Sequence, residues 1–428
     1  MSNVTDIFKE ITQIPRCSTN HHPFIEYVKD FAFKYEYDCS IDQSNNILCK
    51  KENSLSRVCL QSHYDIVCLV DDTIPELIEE DGFYKAVNST LGADNGIGCS
   101  YMLSLMSEGY DCEFLFTSDE EIGLIGANDL GLEIASPYML NLDSESEGEI
   151  CIGCAGGIDI FASLNENSII QNIDNLELYE LSISKLPGGH SGVEIHKNID
   201  NALKIIAQSI YECNGVILDI NGGERINSIP VNAKAIIASK EQPKLIHDNM
   251  KITKIHQPSE HLNIYPNAII EFINSFKQGV REFNEELNVV ESSINLAKVN
   301  TQINEIKIEL SARSMDNTKL HALTNDTVSQ LENLGFTVQT SGKYPAWKPD
   351  VNEFTNQVLK IYQQHNKDAK LEAIHAGLEC AIFKEKFSHL KIASIGPNIF
   401  SPHSKAERVE ITSIHKLYDI VKDILDSM

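Results

Sequence analysis

The chain has 428 residues, 42% of them hydrophobic and 23% charged, with a formal net charge of -27. That length exceeds what a single hydrophobic core usually serves, so two domains are expected, and the composition is that of an ordinary globular protein. The charge argues against nucleic acid and anionic membrane surfaces as partners, since both need a basic face; it suits solubility and is compatible with a bound multivalent cation.

The N-terminal stretch MSNVTDIFKEITQIPRCS lacks a basic start followed by an apolar run, so it does not read as a secretory signal. No segment reaches the roughly 20 apolar residues of a membrane span. The 11 cysteines, odd in number and without a repeating frame, suit reduced thiols, and a cytoplasmic protein is expected.

In chain order, β-rich runs at Val58 to Leu60, Phe114 to Thr117 and Tyr138 to Leu142 alternate with helical stretches such as Ile97 to Met106. This is the pattern of an α/β domain with a mostly parallel central sheet. After the glycine-rich Gly153 to Gly157 the character changes. A strand (Leu176 to Leu186), a helix (Asn201 to Cys213) and strands at Val216 to Ile220 and Lys234 to Ser239 come first. A helix over Ala268 to Phe283, a hairpin (Ile294 to Val299, Glu305 to Leu310), a helix (Lys319 to Leu334) and a strand (Phe336 to Thr340) follow. That mixture suggests an α+β unit of ferredoxin-like plan. A helix (Asn352 to His365) and a strand (Leu390 to Ile395) then restore the α/β pattern. The expectation is a catalytic domain split between 1–156 and 345–428, with 157–344 inserted.

Polar side chains that carry chemistry fall just past predicted strands or at a helix entrance: His63 and Asp65, Asp94, Glu120 and Glu121, Asp143, and His403. Ligands of open α/β sheets bind beyond the carboxyl ends of the strands, so these positions could converge. His63 and Asp65, two apart, point to the same face of an extended chain, which suits a metal-ligand histidine oriented by a carboxylate as well as a plain salt bridge. Asp94 precedes an apolar helix and reads equally as an N-cap or as a carboxylate bridging two metals. Glu120 and Glu121 point in opposite directions in extended backbone and can hold different tasks; alone, such a pair is usually a solvated edge. No nucleotide-binding glycine fingerprint, Gly-x-Ser-x-Gly elbow or His-Glu-x-x-His helix is present, and the lone Cys151 to Cys154 pair reads as packing.

Several runs together resemble the aminoacyl-histidine (Xaa-His) dipeptidases of the di-zinc peptidase and deacylase superfamily. They are Leu60-Gln-Ser-His-Tyr-Asp65, Thr90-Leu-Gly-Ala-Asp-Asn-Gly-Ile-Gly98, Phe116-Thr-Ser-Asp-Glu-Glu-Ile-Gly123 and Leu140-Asn-Leu-Asp-Ser-Glu145. Gly188-Gly-His-Ser-Gly192, Asn227-Ser-Ile-Pro230, Tyr344-Pro-Ala-Trp-Lys-Pro349, His375-Ala-Gly-Leu-Glu-Cys380 and Ser401-Pro-His-Ser404 continue the series in order. The resemblance implies two Zn2+ per subunit, with Mn2+ or Co2+ as possible substitutes. His63 and Asp143 would hold one, Glu121 and His403 the other, and Asp94 would bridge both. It implies Asp65 as the orienter of His63, Glu120 as general base, and a cis peptide after Asp94. His190 would be the oxyanion donor of an inserted lid domain, and Asn227 and His375 would touch substrate. It also implies a small peptide substrate and a homodimer paired through the lid. Ser62 departs from the family pattern, standing where a glycine commonly precedes the metal histidine, and the chain is shorter than expected, with segments trimmed before Asp94 and in the insert.

The function expected is hydrolysis of small unblocked dipeptides, Xaa-His and β-alanyl-histidine among them. A tripeptidase or N-acyl amino acid deacylase is the near alternative. A catalytically silent, metal-stabilised peptide-binding protein is the alternative of another class, and the presence of Glu120 and all five candidate ligands speaks against it.

Overall fold

The computed structural model describes residues 4–69, 74–165, 175–256, 264–302 and 305–428. They form two compact units. The first comprises Met1–Cys154, Trp347–Ala373 and Leu378–Met428; the second comprises Ala155–Ala346 and, by a short return of the chain, Ile374–Gly377.

The first unit is an α/β layer built on an eight-stranded sheet. Four strands at its centre run parallel, in the spatial order Glu113–Thr117, Val58–His63, Tyr138–Asn141 and Lys391–Ser394. The first three are apolar-rich and buried along their whole length, as strands covered on both faces must be. The expected mostly parallel sheet is mixed, because antiparallel pairs flank this centre: Asp38–Ile41 with Ile47–Lys50, the latter on Glu113–Thr117, and Glu149–Cys154 on Lys391–Ser394. A short turn joins Asp38–Ile41 to Ile47–Lys50 and favours their antiparallel pairing, whereas parallel neighbours need crossover connections.

The helix Ala93–Glu108 is buried on nearly every face. Glu353–His365 starts with a capping box, Asn352 accepting from Phe354 and Thr355 amides while Thr355 returns a bond to Asn352. One core of aliphatic and aromatic side chains joins these helices to the sheet. A small four-stranded sheet, which the sequence does not announce, accompanies it.

The second unit is α+β, its nine-stranded sheet antiparallel in every described pairing. Asn201 and Asp316 cap the helices Ala202–Glu212 and Asn317–Asn333 with side-chain oxygens on the first free amides. The helix expected over Ala268 to Phe283 is Asn267–Ser275 only. The Lys204 ammonium donates to the carbonyls of Ile273, Asn274 and Phe276 at 2.7, 2.6 and 2.8 Å, which satisfies the helix end. Gly279, at φ 94°, then turns the chain into a strand, Gly279–Asn284, paired with Val289–Gln302.

The expectation of reduced thiols fails at one pair. Cys17 lies beside Ile66 in an isolated parallel bridge, and Cys17 and Cys68 are bonded with Cα atoms 5.6 Å apart. Such a separation lies within the range a disulfide needs, and 51 residues of sequence hide it. Among the described residues, no helix is long and apolar enough to cross a membrane.

Candidate metal centre

The carboxyl ends of the central strands lie at one edge of the sheet, and the chain leaving three of them delivers most of a single polar cluster. His63 is the last residue of its strand, Glu120 and Glu121 follow Thr117, and Asp143 follows Asn141, while His403 lies in the turn after Ile399–Phe400, a strand of the small sheet that comes after Lys391–Ser394. Asp94 comes from the start of the buried helix, where its φ and ψ are not helical, and the Asp94–Asn95 peptide is cis, as the resemblance implies. The N-cap reading of Asp94 fails: Asn95 Oδ1, not Asp94, accepts from the Gly98 amide, at 3.1 Å.

Close packing makes two glycines obligatory. A Cβ on Gly98 would stand 2.2 Å from Asn95 Oδ1 and 2.5 Å from Ser62 Oγ, and one on Gly396 would stand 1.4 Å from the Ser144 carbonyl oxygen. Ser62, the departure from the family pattern, is accommodated: its hydroxyl donates to the Asn95 carbonyl at 3.1 Å.

The donor atoms fall into two groups of three that share Asp94. His63 Nε2 lies 3.1 Å from Asp94 Oδ1 and 3.2 Å from Asp143 Oδ1. His403 Nε2 lies 3.0 Å from Asp94 Oδ2 and 3.0 Å from Glu121 Oε2. Adjacent ligands on a tetrahedral cation with bonds of about 2.0 Å stand about 3.3 Å apart, so both spacings suit metal coordination. Ligand atoms of His63, Asp94 and Glu121 all lie within 4.8 Å of one another.

Asp65 completes the support. Its Oδ1 is 3.5 Å from His63 Nδ1, its backbone carbonyl is 3.1 Å from the same nitrogen, and its carboxylate accepts from the amides of Glu120 and Glu121 at 3.0 and 3.3 Å. One residue thus fixes the ring of one ligand, chiefly through its backbone carbonyl, and the backbone of another through its carboxylate.

Electrostatics favour a cation. Burial and the Asp94 charge push Glu121 up to about 7. Burial, joined by the Glu121 and Asp143 charges and opposed by His63, pushes Glu120 well above the usual carboxylate range. Burial also raises Asp143, against the pull of His63. Asp94 is held low, because its bonds to His403 and His63 overcome its burial, and Asp65, against its own burial, is lowered too by its bonds to His63, Ser18 and the Glu120 amide. The buried Glu121 Oε1 has no hydrogen-bond partner among the described residues. Two imidazoles, several crowded carboxylates and an orphaned carboxylate oxygen fit one or more divalent cations.

The sequence gives no reason to single out Glu379. It lies buried below the strand ends, its Oε2 accepting from Gln61 Nε2 at 2.5 Å and Thr117 Oγ1 at 2.8 Å, and burial pushes it up to about 8.

No protein-family model matches the chain. The cytosol non-specific dipeptidase of Escherichia coli (strain K12) is 32% identical over 471 aligned positions, which cover 98% of this chain and 96% of the relative. The chain belongs to this dipeptidase family.

Among solved structures, an aminoacylhistidine dipeptidase from Vibrio alginolyticus superposes with a TM-score of 0.81 at 28% identity, covering 99% of this chain and 96% of its own. Human carnosine dipeptidase 1, at 11% identity and a TM-score of 0.56 over 99% of this chain and 96% of its own, shares the fold. As a member of the dipeptidase family the chain is a metallopeptidase, a hydrolase of the peptide bond.

The other residues singled out in the sequence stand on this dipeptidase's second unit. His190 Nδ1 accepts from the amides of Gly192 and Val193 at 3.3 and 3.2 Å, which places the proton of the neutral ring on Nε2. His375 is buried with Nε2 2.7 Å from Ser293 Oγ, and burial together with the Arg313 charge pushes it down to about 3. Asn227 is exposed, its backbone carbonyl accepting from the Ser191 amide at 2.8 Å.

Arg313 is the residue that sequence reasoning missed in this unit. It pairs across strands with Ser293, donates to the Tyr344 hydroxyl at 2.6 Å, and has no acceptor for its buried Nε among the described residues. A Cβ on Gly192 would stand 2.5 Å from the His375 carbonyl oxygen, 3.2 Å from the His190 ring and 3.3 Å from the Arg313 guanidinium, so these three residues share one neighbourhood. Nothing in the sequence marks this arginine, next to the last residue of the strand Glu305–Ser314, as functional.

Proposed function

We propose that this protein hydrolyses small unblocked dipeptides, Xaa-His among them, at a centre holding two Zn2+ ions. The observation that carries the reading is the division of the donors into two triads by the two oxygens of Asp94. Bound there, the metal ions would lower the pKa of a water toward about 7 and polarise the scissile carbonyl.

The chain's own residues supply the rest. Glu120 takes the proton of the attacking water and passes it to the leaving amine; a carboxylate that its surroundings push upward is suited to hold that proton between the two events. Asp65 keeps the His63 ring turned so that Nε2 serves as ligand. His190, with its proton on Nε2, donates to the developing oxyanion. Arg313 takes the substrate carboxylate, since a buried guanidinium with an unused N–H demands an anionic partner. Asn227 and His375 line the same subsite, with His375 neutral. Residues 157–344 serve as the lid and as the pairing surface of a homodimer, and the protein works in the cytoplasm, the compartment named for the Escherichia coli relative.

The test is hydrolysis of a dipeptide panel, with its tripeptide extensions and N-acetylated forms, by chelated protein before and after Zn2+ is restored. Metal-restored cleavage confined to free dipeptides is expected. Comparable turnover of tripeptides or acetylated substrates would move the protein to the tripeptidase or deacylase branch, and no cleavage at any metal loading would remove the enzymatic reading of this site.

A further inference from the structure

Two fully buried charged side chains hold the ligand loops without being ligands. Glu407, 3% exposed, accepts from four consecutive backbone amides: Leu91 and Gly92 on Oε2 at 2.6 and 3.0 Å, Ala93 and Asp94 on Oε1 at 2.8 and 3.4 Å. It stands four residues past His403, and its own amide bonds back to the Ser404 carbonyl at 3.2 Å. Its carboxylate therefore ties the His403 loop to the Asp94 loop. Arg16, 1% exposed, donates to the Gly92 carbonyl at 2.7 Å and the Tyr64 carbonyl at 2.9 Å, tying the Asp94 loop to the residue after His63. Gly92 is gripped by both, its N–H by Glu407 and its C=O by Arg16.

The space around the clamp is made to fit. A Cβ on Gly96 would stand 2.4 Å from an Arg16 terminal nitrogen, and one on Gly92 would stand 2.9 Å from it. The planar guanidinium reaches two carbonyls in a fixed fork, which an ammonium cannot copy. A carboxylate at the entrance of a helix gathers amides that have no partner inside the helix.

We propose that Arg16 and Glu407 are positioning residues that pre-set Asp94 between His63 and His403, and so raise the affinity of the centre for its divalent cations. The inference rests on the metal-centre reading given above. Without the clamp, the carboxylate that both imidazoles contact would have to be ordered at the moment of metal uptake, and part of the binding free energy would be lost to that ordering.

The test uses the full chain, stripped of metal and titrated with Co2+ while its visible absorption is followed, with melting of the metal-free protein recorded alongside. Glu407→Gln and Arg16→Lys are expected to weaken Co2+ binding by about 10- to 100-fold and to alter the absorption band, the range found when groups supporting metal ligands are removed. Glu407→Asp, which keeps the charge, should recover part of the loss.

Glu113→Gln is the control. Glu113 is also a buried carboxylate, accepting from Ala135 and Ser136 amides at 3.1 and 2.8 Å, but at the amino end of its strand, away from the ligands; it should lower the melting temperature and leave Co2+ binding unchanged. Should Glu407→Gln not fold, Arg16→Lys carries the same comparison. Folded variants with wild-type Co2+ affinity and band would overturn the positioning role while leaving the metal centre intact. A wild-type chain that takes up no Co2+ would instead overturn the metal-centre reading itself.

Discussion

His63, Glu121 and Asp143 stand at or just past the carboxyl ends of parallel strands, His403 follows a short strand of the small sheet and Asp94 starts a buried helix, whereas His190, Arg313 and His375 come from a loop, a strand end and a four-residue return of the chain. In the first unit nearly every loop that carries a candidate ligand is itself tied down: Asp65 holds the Glu120 and Glu121 amides, Glu407 holds the Asp94 loop, and Asn95 donates to Asp143. In the second unit the sheet does the holding, with Ser293 and Arg313 opposite each other across two strands and His375 hung on Ser293. Many carboxylates crowd the first cluster and one guanidinium dominates the second. The proposed function accordingly assigns divalent cations to the first and the substrate carboxylate to the second.

The sharpest way to break this division is Glu120→Gln. If Glu120 moves the proton and is not a ligand, kcat falls by about 10²- to 10⁴-fold while metal binding measured by calorimetry stays at the wild-type value. A loss of metal together with activity would make Glu120 a ligand. His190→Ala comes next, with an expected fall of about 10²- to 10³-fold in kcat and little change in metal content. An unchanged kcat would leave His190 as a loop residue.

Arg313→Met tests whether the second cluster receives an anion. Loss of a charge-assisted bond to a carboxylate, about 1.5–3 kcal/mol, should raise KM roughly 10- to 100-fold with kcat nearly kept. The effect should vanish for dipeptide amides, which lack the carboxylate; an equal effect on both substrates would place Arg313 in the framework only.

The smallest expected effect is on stability. With His375 pushed down to about 3 in the folded chain, against about 6.5 when unfolded, the unfolded chain takes up its proton first as pH falls. Stability is therefore unaffected by this ring above about 6.5 and declines from there toward about 3. His375→Gln should flatten the decline in melting temperature between pH 7 and 5, and parallel profiles for the two proteins would show that His375 is not buried in its neutral form.

Much of the first cluster was legible because its chemistry follows strand ends. Apolar runs announce the strands, and an acid or histidine directly after such a run is placed by the sheet at one edge. Asp94 was legible as a site residue with two local roles left open, since a cap and a bridging ligand share one sequence signature and only the backbone angles and the Asn95–Gly98 bond rule out the cap. The helix after Ala268 was drawn too long because apolar periodicity continued past Ser275, while the lysine that terminates it, Lys204, lies more than 60 residues earlier. Arg313, Glu379, Arg16 and Glu407 were invisible for a shared reason: each acts through partners distant in sequence, and a lone charged residue carries no periodicity.

The sequence by itself determined the alternation of elements and the order of the polar motifs, because hydrophobic period and residue chemistry are local properties, while the set of candidate ligands came from what the family resemblance implies. Tertiary structure alone decided which charges are buried, that Asp94 stands between two histidines, that Cys17 meets Cys68, and that Gly92 is held from both sides by Arg16 and Glu407. Those facts depend on distances between segments far apart in the chain, and such distances are set only when the strands pair and the core closes around them.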